Sequence, residues 1–127
     1  MLAKIESTSI NVEFKTHFIG KYGLLYLFGC NLVVKNNSTL PVTIMGKHWK
    51  IFSNHSLPEE IIGEGFNGTL PTIQPFETFN YESILPMHTV FASIEPKYNF
   101  SFLVNKKKHA LSIGVPKVSI TPKAFLN

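Results

Sequence analysis

Three observations predict an all-β fold, an antiparallel sandwich or barrel of about seven strands. Apolar and polar residues alternate with a period of two through most of the chain. Turn residues interrupt that alternation roughly every 8 to 15 positions. Eleven Phe and four Tyr supply the rings that suit a pleated surface. No segment carries a 3.6-residue apolar period, so no helix is predicted.

The elements follow in order. Ile10, Val12 and Phe14 alternate with Asn11, Glu13 and Lys15, a first strand with one polar face. Tyr26, Phe28, Cys30, Leu32 and Val34 form the core face of a long second strand. Residues 36–39 read as a tight connection, since Asn tolerates left-handed turn geometry. The third strand runs from about Leu40 to Phe52, and its phase changes. Val42 and Ile44 choose one face, Trp49 and Ile51 the other. A bulge near Gly46 reconciles them, because one extra residue flips the alternation and sends His48 to the face opposite Trp49.

Residues 53–68 read as a loop, with a short extended piece at Ile61-Ile62. Phe79, Tyr81 and Ser83 mark the next strand. A separate strand is expected over 90–94, and another is lined by Tyr98, Phe100, Phe102 and Val104. Asn105 and Lys106 to Lys108 form a polar turn, and Leu111, Ile113 and Val115 return as its hairpin partner. Pro116 and Pro122 suit an edge or an ending, because proline cannot donate to a ladder.

Composition bounds function. The 127 residues suit one domain, 1–127, and 44% hydrophobic against 16% charged residues provides a core and argues against disorder. There are twelve Lys and eight Glu, with no Arg and no Asp, for a net charge of +4. Without the bidentate guanidinium fork, sequence-specific nucleic-acid recognition is not expected. Cys30 stands alone in an apolar run, so no intrachain disulfide forms and a small buried hydrophobe is expected. The apolar run 24–34, broken by Gly29 and Asn31, is too short to span a bilayer, and the N-terminus shows no leader pattern. A cytoplasmic location is expected, and the five Asn-x-Ser/Thr sequons then carry no glycan.

The order of motifs resembles the ApaG family. Pro41-Val42 is followed by Gly46-Lys47-His48-Trp49, then Glu60 and Gly63-Glu64-Gly65-Phe66-Asn67-Gly68. Pro71, Pro75 and Glu77-Thr78-Phe79-Asn80-Tyr81-Glu82-Ser83 complete the series. The likeness is strongest over 26–86. It implies an immunoglobulin-like or fibronectin-III-like sandwich. For bacterial members it implies a link to cobalt tolerance and magnesium efflux. For eukaryotic members, in F-box proteins and a polymerase-interacting protein, it implies protein recognition. Three residues depart from the family pattern. Lys47 stands where Arg is common, Ile62 where a polar residue is common, and Phe76 where a turn Gly is common.

Residues 63–68 satisfy G-x-G-x-x-G, but Thr69-Leu70-Pro71 and Pro75 leave no room for the helix that a dinucleotide fingerprint needs. The glycines can instead form a nest of backbone N–H groups for a small anion, with Lys47 supplying charge, or simply take positive φ in an irregular connection. His48, Lys47 and Glu64 together make a candidate binding face. Trp49 is expected in the core, among residues such as Phe28, Leu32, Phe79 and Phe102. His17, His48, His55, His88 and His109 show no metal-ligand spacing, so no metal site is predicted.

Catalysis lacks its parts. No Asp orients a His, no Ser sits in a G-x-S-x-G elbow, and Glu59-Glu60 reads as a solvated pair. The sequence therefore points to a non-enzymatic accessory module with a protein partner and no cofactor. The alternative is a weak phosphate, pyrophosphate or nucleotide binder. The candidate residues for either are Lys47, His48, Gly63, Glu64, Gly65 and Gly68. Paired sheet edges leave a homo-oligomer open.

Overall fold

The computed structural model describes residues 9–53, 57–66, 68–122 and 125. Among these residues nine strands run in order: β1 (Ile10–Tyr22), β2 (Leu25–Asn36), β3 (Val42–Ser53), β4 (Glu59–Glu64), β5 (Thr72–Ile73), β6 (Thr78–Met87), β7 (Ala92–Val104), β8 (Lys107–Gly114) and β9 (Val118–Ser119). The described residues contain no α-helix, so none is long and apolar enough to cross a membrane.

Each strand has one apolar face to hide, and two sheets hide them against each other. The first sheet has the order β1-β2-β6, and the second β4-β3-β7-β8, with β5 on β3 and β9 on β7. All pairings are antiparallel. In the first sheet Val12, Val34 and Phe79 lie in one cross-strand row, and Phe14, Leu32 and Tyr81 in the next. Val42, Ile44, Trp49 and Ile51 of β3 and Ile94, Tyr98 and Phe100 of β7 meet them from the second sheet. The result is the expected all-β sandwich.

The phase change in β3 is a bulge at Met45. Ile44 faces Phe100 on β7, and Gly46 faces Asn99. One residue of β3 is thus unmatched, which turns Lys47, Trp49 and Ile51 inward and His48 and Lys50 outward.

Several boundaries differ from the sequence reading. β1 continues past Phe14 to Tyr22, and the piece at Ile61-Ile62 is a six-residue strand. The segments 90–94 and 98–104 belong together, since β7 runs through Pro96. Pro96 is tolerated because its C=O, and with it the missing N–H, faces away from β3. That C=O accepts from Val115 N–H at 2.8 Å. On that side β9 covers Ser93 and Ile94, while the pairing with β8 starts at Lys97, opposite Gly114. The proline therefore falls in the gap between two neighbours, where no ladder donor is lost.

The 36–39 connection is tight for a different reason from the one expected. None of its residues takes positive φ. Asn36 is fully buried, and its amide donates to Leu40 C=O at 2.8 Å and Ile73 C=O at 3.0 Å. Its Oδ1 accepts from Ser38 N–H and Oγ–H. The side chain thus ties the end of β2 to β5. Among the described residues, the left-handed non-glycine positions are Phe76, Asn105 and Lys106.

Candidate functional site

Regular alternation after the bulge sends the side chains of Lys47 and His48 to opposite faces of β3. Lys47 points into the sandwich. Its aliphatic stem passes over Gly63, where a β-carbon would lie 3.5 Å from Lys47 Cε. Its ammonium sits 4.6 Å from the centre of the Trp49 ring. His48 points outward, between Ile62 on β4 and Lys97 on β7. The two side chains leave β3 on opposite faces, because adjacent strand residues alternate, yet both residues border the same groove.

His48 Nε2 lies 3.3 Å from Glu60 Oε1. The two are at ion-pair distance but not aligned as a hydrogen bond, and Nε2 is shielded from water without another partner. Around them Ile62 is 72% exposed. Lys47, His48, Ile62, Gly63, Glu64 and Lys97 are among the residues lining an open groove of about 380 Å³ along β3 and β4. Of the residues the sequence singled out, Lys47, His48, Gly63 and Glu64 meet here, while Ile62 and Lys97 were not among the candidates. The β3–β4 and β3–β7 registers bring them together, and alternation alone does not specify register.

The glycine segment is more regular than predicted. Gly63 and Glu64 belong to β4, facing Lys47 and Gly46. Gly46 must lack a side chain, since a β-carbon there would meet Gly63 C=O at 2.8 Å. Gly65 and Gly68 take φ of 71° and 80°. Between them Phe66 N–H donates to Thr69 C=O at 2.7 Å, and Thr69 N–H returns the bond at 3.1 Å. Thr69 Oγ–H also donates to Phe66 C=O. This closes a tight hairpin turn, consistent with glycine's freedom at positive φ. Asn67, like Asn54 and His55, lies outside the described residues.

The turn anchors Phe66 in the core. The ring is buried and meets Tyr81 edge-on at 4.7 Å and Phe79 at 5.5 Å. Phe79, expected beside Trp49, belongs to this second aromatic cluster. Trp49 is buried, packs edge-on against Phe14 at 5.3 Å, and donates its indole N–H to Tyr98 hydroxyl at 3.0 Å.

Inside the same layer, burial pushes the Cys30 thiol up to about 11, while the charge of Lys47 draws it back. The thiol is therefore a neutral core group rather than a nucleophile. Burial likewise raises the Tyr98 hydroxyl well above its ordinary value. The hydrogen bond from Trp49 opposes that rise, and Cys30 adds to it. Among the described residues no three His, Cys or Glu side chains gather into a group that could hold a metal ion.

Two antiparallel sheets packed around a buried inter-sheet tryptophan define a β-sandwich domain, of the immunoglobulin-like or fibronectin-III-like kind. The ApaG domain matches residues 21–102, and the chain belongs to that family. It is 32% identical over 92 residues to Protein ApaG of Bdellovibrio bacteriovorus, spanning 72% of this chain and 70% of that one. It is 29% identical over 91 residues to Protein ApaG of Citrobacter koseri, with the same spans of 72% and 70%. A solved structural-genomics target superposes with a TM-score of 0.84 at 22% identity, over 97% of this chain and 94% of that one. The crystal structure of a putative ApaA protein from Bordetella pertussis gives 0.75 at 19% identity, over 86% and 89%. At those identities the two structures speak for the fold.

Proposed function

We propose that this single domain is a non-enzymatic recognition module that binds a protein partner through the outer face of its second sheet. One observation carries the reading. Ile62 is largely exposed on a regular strand, with His48, Glu60, Glu64 and Lys97 around it. An exposed apolar residue ringed by charges of both signs suits a protein surface. The groove is open, whereas small-molecule sites enclose most of their ligand. The family link to cobalt tolerance and magnesium efflux would then run through the partner, in the cytoplasm, with no ion held by this chain.

The anion reading finds less support. The Phe66 and Thr69 N–H groups already close the turn, and the Lys47 ammonium lies over Trp49. The test is affinity capture from native lysate with the wild-type chain and with Ile62→Glu and His48→Ala. A stoichiometric protein retained by the wild type and lost with both variants is the expected result. Equal retention by all three would move the interface elsewhere. Pyrophosphate titration followed by amide NMR serves as the alternative arm, in which saturable shifts confined to Gly63, Gly65 and Gly68 would favour the anion.

A further inference from the structure

We propose that β1 is a self-association edge, along which a second copy of this chain extends the three-stranded sheet across a twofold axis at Phe14. β1 has 13 residues and, among the described residues, pairs with β2 alone. Asn37 N–H donates to Ser9 C=O at 2.8 Å, and the register continues as Ile10 against Asn36. In an antiparallel ladder, hydrogen-bonded pairs alternate with non-bonded ones. Asn11, Glu13, Lys15 and His17 therefore turn their backbone groups toward β2. Ile10, Val12, Phe14, Thr16 and Phe18 turn theirs to the open edge. No proline interrupts that stretch, and the first irregularity lies between Phe18 and Gly20. Such a row of unpaired donors and acceptors is a template for another strand.

The side chains single out the partner and the register. The other long edge strands each carry one sign of charge. β4 has only Glu59, Glu60 and Glu64, β6 only Glu82, and β8 only Lys107, Lys108 and His109. None of them can form an ion pair with its own copy. β1 carries both signs, with Glu13 and Lys15 exposed on one face. An axis at Phe14 sets Glu13 against Lys15 of the second copy, twice. Both meetings fall at non-hydrogen-bonded pairs, where side chains approach most closely. Asn11 then meets His17. On the inner face Val12 meets Thr16 and Phe14 meets Phe14, so the apolar layer continues. Moving the axis to Glu13 or Lys15 sets like charges together. At Thr16 it sets Lys15 against His17, and at Val12 it forms no ion pair. A twofold, self-complementary contact closes on itself and gives a dimer, not a fibre.

The test is sedimentation equilibrium of the full chain and four samples made from it. The wild type should dimerise reversibly below about 1 mM. Lys15→Glu and Glu13→Lys should each weaken the dimer by about tenfold or more, since two attractive pairs become two repulsive ones. An equal mixture of those two variants should restore it, because two acidic side chains at positions 13 and 15 then meet two basic ones. Thr16→Pro removes an edge-facing N–H while leaving the β2 ladder intact, and should give a folded monomer by far-ultraviolet circular dichroism and Trp49 fluorescence. A wild type still monomeric at about 1 mM would overturn the proposal. So would a dimer unchanged in all three variants, or two folded single variants that fail to associate on mixing.

Discussion

Trp49 Nε1 and the Tyr98 hydroxyl lie 3.0 Å apart inside the sandwich, yet the two residues do not face each other in register. Trp49 faces Pro96, and Tyr98 faces Lys47. The bond is a diagonal tie between the central strands β3 and β7, and it satisfies the one polar group that the indole brings into the core. Tyr98→Phe keeps the ring and strands the indole N–H. The expected loss is about 1–3 kcal/mol in urea unfolding followed by Trp49 fluorescence. Trp49→Ala should cost about 3–5 kcal/mol by circular dichroism. A loss below about 1 kcal/mol for Trp49→Ala would contradict a core role.

The two positive-φ glycines of the 63–68 segment should respond differently to alanine. At Gly65 a β-carbon would meet Thr69 C=O at 2.3 Å, a backbone atom that is itself bonded in the turn. At Gly68 nothing lies within 4 Å. Gly68→Ala should therefore cost only the left-handed penalty, about 1–2 kcal/mol. Gly65→Ala should cost more, and should loosen Phe66 from Phe79 and Tyr81. Thermal unfolding and aromatic NMR shifts check both. Equal losses would mean that the turn is not held as described.

Phe76 occupies a turn position at φ 64°, with Pro75 before it and Glu77 N–H donating to Gln74 C=O at 3.0 Å. A turn with Pro second and positive φ third favours glycine at the third place. The Phe76 ring is mostly exposed, so little packing offsets the strain. Phe76→Gly should stabilise the fold by about 1 kcal/mol, the relief of strain exceeding glycine's entropy cost. A lowered melting temperature would show that the ring makes a contact of its own.

Alkaline pH should weaken the fold through Cys30. Its pKa of about 11 in the folded chain lies above the ordinary value of 9.0. The folded state thus keeps a proton that the unfolded chain releases. Stability is full below about pH 9 and declines as pH rises toward 11, by about 3 kcal/mol at most. Tyr98, raised in the same direction, extends the decline further up. Cys30→Ala should remove the onset near pH 9 in urea titrations. An unchanged profile in that variant would assign the loss to Tyr98.

The sequence by itself determined the all-β class, the bulge in β3, the inward Trp49 and the outward His48. All four follow from counting apolar positions by twos, which needs no knowledge of what each strand pairs with. The family resemblance was legible in the same way, from motifs in order along the chain. What only tertiary structure decided depends on partners distant in sequence. The β3–β4 and β3–β7 registers put Ile62 and Lys97 beside His48. Pro96 could lie within a continuous strand because β8 and β9 leave a gap there. Lys47 faces inward by alternation, but Gly63 on the next strand clears room for its stem and Trp49 provides a ring for its charge. The 63–68 segment became a strand end and a turn because Phe66 found Phe79 and Tyr81 on the other sheet. Local pattern sets which way a side chain points, and the pairing of strands sets what it meets.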